Sequence, residues 1–276
     1  MILSLVAVLR AQIPLLTFAR SALGLNPYPW QARVLCANEN KFPVALATCN
    51  GAGKTSIILG RAVLWFLWHF PRGRCVITSG SWTQLTEQLF MGLREFSTKP
   101  LFRGWSFLDS EIRTPQGGVA VGVSVDDPQR IEGWHSKPDS PVMFVVDEAK
   151  SIRDAIFQGV ARCTVDYKIF ASSTGAAQGQ FYRCFTEERG AWWTMRVPSM
   201  SNRGLHEASN NVFLCASPPF KSANGRTHRC HFLPSSCPQP LPNRNLSRAC
   251  QCRPRLRSLR LEEANWGILE RNFGYR

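Results

Sequence analysis

Short apolar runs alternate along the chain with longer stretches in which apolar residues recur at helical spacing. The longer stretches predict helices over 55–70 and 84–96, and the first is apolar on nearly every side. The short runs predict strands at 44–47, 75–78, 119–125, 142–146 and 168–172. Strands that alternate with helices predict an α/β fold, in which helices cover both faces of a mainly parallel sheet.

A glycine-rich segment follows the first predicted strand directly. Residues 47–56 read ATCNGAGKTS, so a strand leads through a tight turn into Gly-Lys-Thr and then a helix. Backbone N–H groups of such a turn, together with the positive end of the helix, bind phosphate. The pattern predicts that Lys54 reaches the β- and γ-phosphates of a nucleotide and that the Thr55 hydroxyl binds Mg²⁺. The other predicted nucleotide-binding residues of this loop are Asn50, Gly51, Ala52, Gly53 and Ser56.

The start of this loop departs from the usual pattern. Thr48 occupies the place where a phosphate-binding loop has its first glycine. A chance occurrence of Gly-x-Gly-Lys-Thr in an ordinary loop is therefore the alternative interpretation of this segment alone.

Two carboxylates follow the predicted strand at 142–146. A continuous apolar run is typical of a strand buried on both faces of a parallel sheet, and this run ends in Asp147 and Glu148. Ligands of open α/β sheets bind at the carboxyl ends of the strands, where the glycine-rich loop also lies. We expect Asp147 to hold Mg²⁺, directly or through water, and Glu148 to act as the general base that polarises the attacking water. Alternatively, both residues only begin the next helix, predicted at 149–158.

Charge adds a candidate partner. The chain of 276 residues has 33 lysines and arginines against 19 acidic residues, a net charge of +14. Such an excess favours an anionic partner, and beside an ATPase core the natural candidate is nucleic acid. Residues 203–276 supply +8 of this charge, because they hold twelve basic and four acidic residues. The basic balance is therefore partly a property of the tail.

No segment predicts membrane insertion or export. Residues 1–9 are apolar, but Arg10 and Arg20 interrupt the sequence that follows. The uninterrupted apolar run is therefore well short of the roughly 20 residues that a membrane span needs. A basic region and a small-residue cleavage site of a signal peptide are missing. We expect the first residues to form an amphipathic helix on the core, and the protein to be cytoplasmic with reduced thiols.

The pattern changes after about residue 201. The remaining sequence shows neither strand nor helix periodicity and is rich in Pro, Ser, Cys and Arg, with one short helix predicted at 261–269. We divide the chain into an ATPase domain at 1–202 and an irregular basic tail at 203–276. The tail cysteines and histidines include no Cys-x-x-Cys pair, which argues against a zinc site. These residues are Cys215, Cys230, Cys237, Cys250, Cys252, His228 and His231.

Taken in order, several motifs resemble the ATPase half of a phage DNA-packaging terminase large subunit. The segment 27–35 (PYPWQARVL) looks like the family's adenine-recognition segment, and 76–85 is similar to a segment shared with helicases that faces DNA. The segment 131–135 (IEGWH) is similar to an element that precedes the acidic strand, and 172–175 (SSTG) stands where the family has its coupling motif. The resemblance covers about residues 15–198 and implies a RecA-like P-loop ATPase.

The resemblance also implies roles for particular residues. Gln31 would pair with the adenine edge, with Trp30 either packing nearby or serving only as a core anchor. Ser173, Thr174 and Gly175 would pass ATP hydrolysis to the parts that grip DNA. His135 would face phosphate or DNA, or be structural. Arg113 and Arg130 are candidates for the arginine that stabilises the transition state.

The function implied is an ATP- and Mg²⁺-dependent motor that moves double-stranded DNA into a procapsid. Family members work as homo-oligomeric rings with a terminase small subunit and a portal protein, in a host cell carrying a phage or prophage. One alternative is a fragment of a superfamily 2 helicase, although no second strand-helix series follows residue 200. The other is an inactive prophage remnant.

Members of this family continue with a nuclease domain that needs clustered acidic residues for two metal ions. Asp166 is the last aspartate of this sequence, so we predict no nuclease activity. A change of reading frame near 199–205 is our hypothesis for the tail, and a genuine DNA-binding arm is the alternative.

Overall fold

The sheet at the centre of the fold is built from short strands. A computed structural model describes residues 13–125 and 128–197, and the backbone of three two-residue strands beyond them. The strands are β1 (Val44–Thr48), β2 (Arg74–Thr78), β3 (Ser106–Phe107), β4 (Glu111–Arg113), β5 (Val119–Gly122), β6 (Val142–Val146), β7 (Tyr167–Ser173), β8 (Trp193–Val197), β9 (Cys215–Ala216), β10 (Phe220–Lys221) and β11 (Thr227–His228).

Six helices accompany these strands in the described part of the chain. Two of them begin or continue with a π-helical stretch, Lys54–Leu59 and Leu85–Phe90. In chain order they are α1 (Leu15–Ser21), α2 (Pro29–Glu39), α3 (Lys54–Leu59 and Gly60–His69), α4 (Trp82–Gln84, Leu85–Phe90 and Met91–Arg94), α5 (Asp154–Ala161) and α6 (Gly179–Arg183). Short 3₁₀ turns lie at Pro100–Phe102, Pro128–Ile131 and Ala149–Ser151.

Six neighbouring strands of the main sheet are parallel. The strand order is β3-β4-β5-β2-β6-β7-β1-β8-β9, with parallel pairing from β5 to β8. Strands β3 and β4 add an antiparallel edge on one side, and β9 pairs antiparallel with β8 on the other. Strand β7 therefore separates β1 from β6. This arrangement confirms the predicted α/β fold class with a mainly parallel sheet.

Side chains alternate between the two faces of the sheet, as they must in extended strands. In β1, Val44 and Leu46 join a core with helices α1 to α4, whereas Ala45 and Ala47 join a second core with α5 and α6. Helix α3 is buried on nearly every side, as its sequence predicts, because it lies between the sheet and helices α1, α2 and α4. Helices thus cover both faces.

The structure corrects several predicted boundaries. Strand β7 continues through Ser173, and β5 ends at Gly122. Helix α4 begins at Trp82, because the Ser81 hydroxyl accepts a hydrogen bond from the Gln84 N–H and caps the helix. The helix expected at 149–158 is interrupted, since Ile152 is extended between a 3₁₀ turn and α5. The sequence pattern missed α1, α2, α6, β3, β4 and β8.

Some expectations concern residues outside those that the structure describes. They include the helix at 1–9, the change of character near 199–205, the helix at 261–269 and the tail cysteine side chains. The chain divides into two units, Met1–Pro234 and Ser235–Arg276, and the second consists wholly of such residues. The boundary at 202 stays a prediction. Among the described residues, no helix is long and apolar enough to cross a membrane.

Replacing a core residue of β1 tests the packing. Leu46 is fully buried in the larger core, so Leu46→Ala should lower the free energy of unfolding by about 2–5 kcal/mol. The matched control is Leu108→Ala, whose side chain is 50% exposed and whose loss should change stability by less than about 0.5 kcal/mol. Urea unfolding followed by circular dichroism measures both. Equal losses at the two positions would contradict this placement of β1.

Candidate functional site

Backbone geometry shapes the predicted phosphate loop between β1 and α3. Gly51 and Gly53 have φ angles of 73° and 80°, a region that favours glycine. Space is also restricted at Gly53, where an added Cβ would lie 2.8 Å from Ile57 Cδ1 and 3.2 Å from Gln31 Nε2. A side chain at position 53 would therefore meet both backbone strain and steric conflict.

The unusual threonine at the start of the loop fits the structure. Thr48 is the last residue of β1, is fully buried and donates its hydroxyl proton to the Cys49 carbonyl at 3.1 Å. Its φ angle is not in the positive region that would require glycine. The departure from the usual pattern is accommodated as part of the strand.

Lys54 is drawn inward at the start of α3. Its side chain is only 6% exposed, and its ammonium group donates to the Cys49 carbonyl at 3.3 Å. The same nitrogen lies 3.9 Å from Glu148 Oε1. The lysine therefore spans the loop and faces the acidic end of β6. The loop residues Asn50, Gly51 and Ser56 are exposed, whereas Ala52 and Gly53 are partly buried.

Gln31 of helix α2 hydrogen-bonds to the phosphate loop, a role that the sequence did not suggest. Its amide nitrogen donates to the Ala52 carbonyl at 3.0 Å, and its amide oxygen accepts from the Tyr28 N–H at 2.9 Å. Only 1% of this residue is exposed. The amide thus joins the start of α2 to the phosphate loop, while its contact with an adenine edge stays a prediction. The neighbouring Trp30 is buried in the larger core, which agrees with its interpretation as a core anchor.

A hydrogen bond joins the loop to the carboxyl end of β6. The Thr55 hydroxyl donates to Asp147 Oδ2 at 2.6 Å, and the Glu148 N–H donates to Asp147 Oδ1 at 3.0 Å. A hydroxyl and a carboxylate side by side are oxygen ligands of the kind that Mg²⁺ uses together with substrate phosphates. The described residues contain no cluster of three His, Cys, Asp or Glu side chains that could hold a metal alone. The pair therefore fits Mg²⁺ that arrives with a nucleotide.

Burial changes the pKa of the Asp147 carboxyl group. Desolvation raises the pKa of this carboxyl group above its ordinary value, and the hydrogen bonds from Thr55 and from the Glu148 N–H oppose that rise. The residue is only 3% exposed. A nearby cation would offset the cost of this buried negative charge.

Glu148 has an uncommon backbone conformation. Its φ of 48° and ψ of 42° lie in the left-handed region, which only two described non-glycine residues adopt. The Ser172 hydroxyl donates to Glu148 Oε2 at 3.0 Å, while the other carboxylate oxygen faces Lys54. The left-handed turn and these two contacts fix the carboxylate beside the loop.

The predicted coupling residues lie at the end of β7, next to this carboxylate. Ser172 and Ser173 are the last residues of the strand and are buried, whereas Thr174 and Gly175 are exposed beyond it. Ser172 makes the contact with Glu148, and Ser173 accepts a hydrogen bond from Lys150. No sequence signal pointed to Lys150 except its position two residues after Glu148.

Two other candidates, His135 and Arg113, lie toward the amino ends of the parallel strands, away from the phosphate loop. His135 Nδ1 is 3.2 Å from Thr164 Oγ1, near the amino end of β7, which supports the structural interpretation, while a contact of this exposed histidine with phosphate or DNA stays a prediction. Arg113 pairs with Glu111 and lies level with Arg74, the first residue of β2. It cannot reach the phosphate loop of its own chain. Arg130 lines a surface groove together with Arg74.

Comparison with solved structures gives several similar chains. No protein-family model and no curated protein matches this chain. The chain is similar to the large terminase of a thermophilic bacteriophage in complex with ADP, with 16% identity and a TM-score of 0.47 over 72% of this chain and 49% of that one. Two further structures of this terminase, also 16% identical, have TM-scores of 0.45, over 72% and 67% of this chain and 49% and 43% of theirs. The chain thus spans about half their length.

A pair of substitutions tests the backbone conformation of Glu148. Glu148→Gly and Glu148→Ala remove the same carboxylate, but only glycine adopts the left-handed region without strain. We expect the glycine variant to be more stable by about 1 kcal/mol in urea unfolding. The same pair at Gln158, on the exposed side of α5, should show the opposite order, with glycine less stable by about 1 kcal/mol. The same order at both positions would exclude the strain.

The raised pKa of Asp147 predicts a pH-dependent stability. Ionisation of Asp147 costs more in the folded state than in the unfolded state. Stability is therefore lost as pH rises from the unfolded pKa of about 3.9 through the higher folded pKa. Asp147→Asn removes this loss, and its melting temperature should gain on that of the unmodified protein over this range. A difference that does not vary with pH would contradict the expectation.

Asp154→Asn provides a contrast of opposite sign. The hydrogen bond from Arg183 lowers the pKa of Asp154, so its carboxylate contributes stability above the unfolded pKa that is lost as pH falls through the folded value. On acidification through this range, the melting temperature of the unmodified protein should therefore fall more than that of the Asp154→Asn variant.

Proposed function

We propose that the chain is a P-loop ATPase that binds ATP with Mg²⁺ and hydrolyses it. One observation carries the proposal: the 2.6 Å hydrogen bond from Thr55 to Asp147, residues 92 positions apart in sequence. It brings the predicted metal ligands together beside a buried lysine. If Gly-x-Gly-Lys-Thr occurred by chance in an ordinary loop, we would not expect its threonine hydroxyl to bind a buried carboxylate at the end of another strand.

The residues of the site divide the chemistry among them. Backbone N–H groups of residues 50–56 bind the phosphates, and the Lys54 ammonium neutralises charge on the β- and γ-phosphates. Thr55 and Asp147 would hold Mg²⁺, which would supply positive charge against the charge that develops on the phosphate oxygens. Glu148 orients the attacking water and accepts its proton, with its carboxylate held by Ser172.

The cellular role that we propose is that of a DNA-packaging motor subunit similar to a terminase large subunit. The ordered motifs at 27–35, 76–85, 131–135 and 172–175 support it. So does the contact between the end of β7 and Glu148, because a motor must link hydrolysis to movement. In this role the chain moves double-stranded DNA, works in a homo-oligomeric ring in the host cytoplasm, and meets a small subunit and a portal protein. The lack of nuclease activity stays a prediction from the sequence.

Two alternatives remain as outcomes of experiment. A superfamily 2 helicase fragment would share the ATP site but would separate DNA strands. An inactive prophage remnant would fold and show no turnover. The contacts of Glu148 with Ser172 and Lys54 support the active ATPase, because they hold the proposed base beside the phosphate loop.

The direct test is ATP turnover with and without double-stranded DNA. The unmodified protein should release phosphate in a Mg²⁺-dependent reaction that DNA stimulates, and Lys54→Ala should lower kcat at least about 100-fold, because the charge on the phosphates loses its partner. The matched control is Lys137→Ala, an exposed lysine toward the amino ends of the parallel strands, which should leave turnover unchanged.

The outcomes separate the hypotheses. Turnover that survives Lys54→Ala would show that the site is wrongly assigned. No turnover in the unmodified protein would overturn the proposal in favour of the inactive remnant. Strand separation in the same reaction would favour the helicase fragment.

A further inference from the structure

A second lysine lies close to the proposed site without belonging to the phosphate loop. Lys150 is part of the 3₁₀ turn Ala149–Ser151 that directly follows Glu148. The residue is exposed, yet its ammonium group donates a hydrogen bond to the Ser173 hydroxyl at the end of β7. A flexible surface lysine usually extends into water, so this inward contact requires an explanation.

The stem of the same side chain covers the next part of the chain. A Cβ added at Gly175 would lie 2.9 Å from Lys150 Cδ and 3.2 Å from Lys150 Cβ. One lysine therefore contacts two of the three predicted coupling residues, Ser173 through its charge and Gly175 through its methylene groups.

A neighbouring hydrogen bond holds Glu148, the proposed general base. Ser172 donates to Glu148, and its neighbour Ser173 accepts from Lys150, so two adjacent residues of β7 are bound to the turn after β6. Ser173 is also the register partner of Thr48, the last residue before the phosphate loop. Lys150 and Glu148, two residues apart in the turn after β6, therefore contact adjacent residues at the end of β7.

The exposed segment 174–178 is anchored at both ends on the same stretch of chain. Its start is held by Lys150, and just after its end Gln180 N–H donates to Asp154 Oδ1 at 2.8 Å. Arg183 also donates to Asp154, at 2.8 Å. Both anchors of the segment therefore come from residues 150–154, just after Glu148.

We propose that Lys150 is a positioning residue that links the Glu148 carboxylate to the exposed segment 174–178 through Ser173. The inference rests on the proposed ATPase function. Lysine is a donor only, so Ser173 must accept this hydrogen bond and its own proton is left for another acceptor. The proposed link runs from Lys150 through Ser173 and Ser172 to Glu148, so loss of Lys150 should affect the rate of chemistry more than ATP binding.

The experiment compares variants of the full chain in steady-state ATP turnover with double-stranded DNA. Lys150→Met keeps the stem over Gly175 but removes the charge, and we expect kcat to fall about 10-fold or more while KM for ATP changes less than about twofold. Lys150→Arg should restore most of kcat, because the donor returns. Ser173→Ala should resemble Lys150→Met, and the double variant should be no worse than either one, since both break the same contact.

A second readout does not depend on turnover. Amide hydrogen exchange of residues 172–178 should be faster in Lys150→Met than in the unmodified protein and should recover in Lys150→Arg. Lys137→Met removes a charge toward the amino ends of the parallel strands and should change neither kcat nor this exchange.

Each outcome bears on the inference. A normal kcat in Lys150→Met, with a Lys54→Ala variant that is inactive, overturns the role of Lys150 and leaves the proposed ATPase intact. A fall in kcat that Lys150→Arg does not restore, or additive effects of Lys150→Met and Ser173→Ala, also overturns it. No turnover in the unmodified protein overturns both proposals together, and unchanged hydrogen exchange overturns the contact itself.

Discussion

The hydrogen bond between Thr55 and Asp147 is the contact on which the arrangement of the site depends. It joins the loop after β1 to the end of β6, two strands that β7 separates. Its geometry is set by the register of three parallel strands, in which the last residues of β1 and β7 are paired. A shift of one residue in any pairing would turn the side chains to the wrong face and separate hydroxyl from carboxylate. The two cores therefore stabilise the site by fixing the register.

Burial of charge is the second constraint. Lys54 and Asp147 are almost fully enclosed, and Glu148 is close to both. Such charges are tolerated in a protein interior only when they compensate one another or a ligand. The raised pKa of Asp147 indicates incomplete compensation within the described residues. A site with this balance is suited to a ligand that brings both phosphate and metal, because each charge then gains a partner.

The sequence predicts the strands that are continuous and apolar, such as β6, because burial on both faces leaves a clear pattern. It also predicts Lys54, Thr55 and Asp147 from local spacing. It does not predict the left-handed Glu148, the bracing of the loop by Gln31, or the contact of Lys150 with Ser173. The contacts of Gln31 and Lys150 join segments that are far apart in sequence, and no local pattern encodes which segments meet. The left-handed turn at Glu148 has no glycine to mark it in the sequence. The strands β3 and β4 were missed because two or three residues show no period. Strand β8, with five residues, was missed because Thr194 and Arg196 interrupt its apolar residues.

The strand order has a consequence for the synthesis of the chain. Strand β1 pairs with β7 on one side and β8 on the other, so neither neighbour exists when residues 44–48 leave the ribosome. More than a hundred further residues must follow before this strand can be hydrogen-bonded on both edges. Until then its apolar side chains and its unpaired backbone N–H and C=O groups are exposed. Early packing of α3 or binding of chaperones would protect this segment from aggregation. The strand that leads into the phosphate loop is thus fully paired only after β7 and β8 have been made.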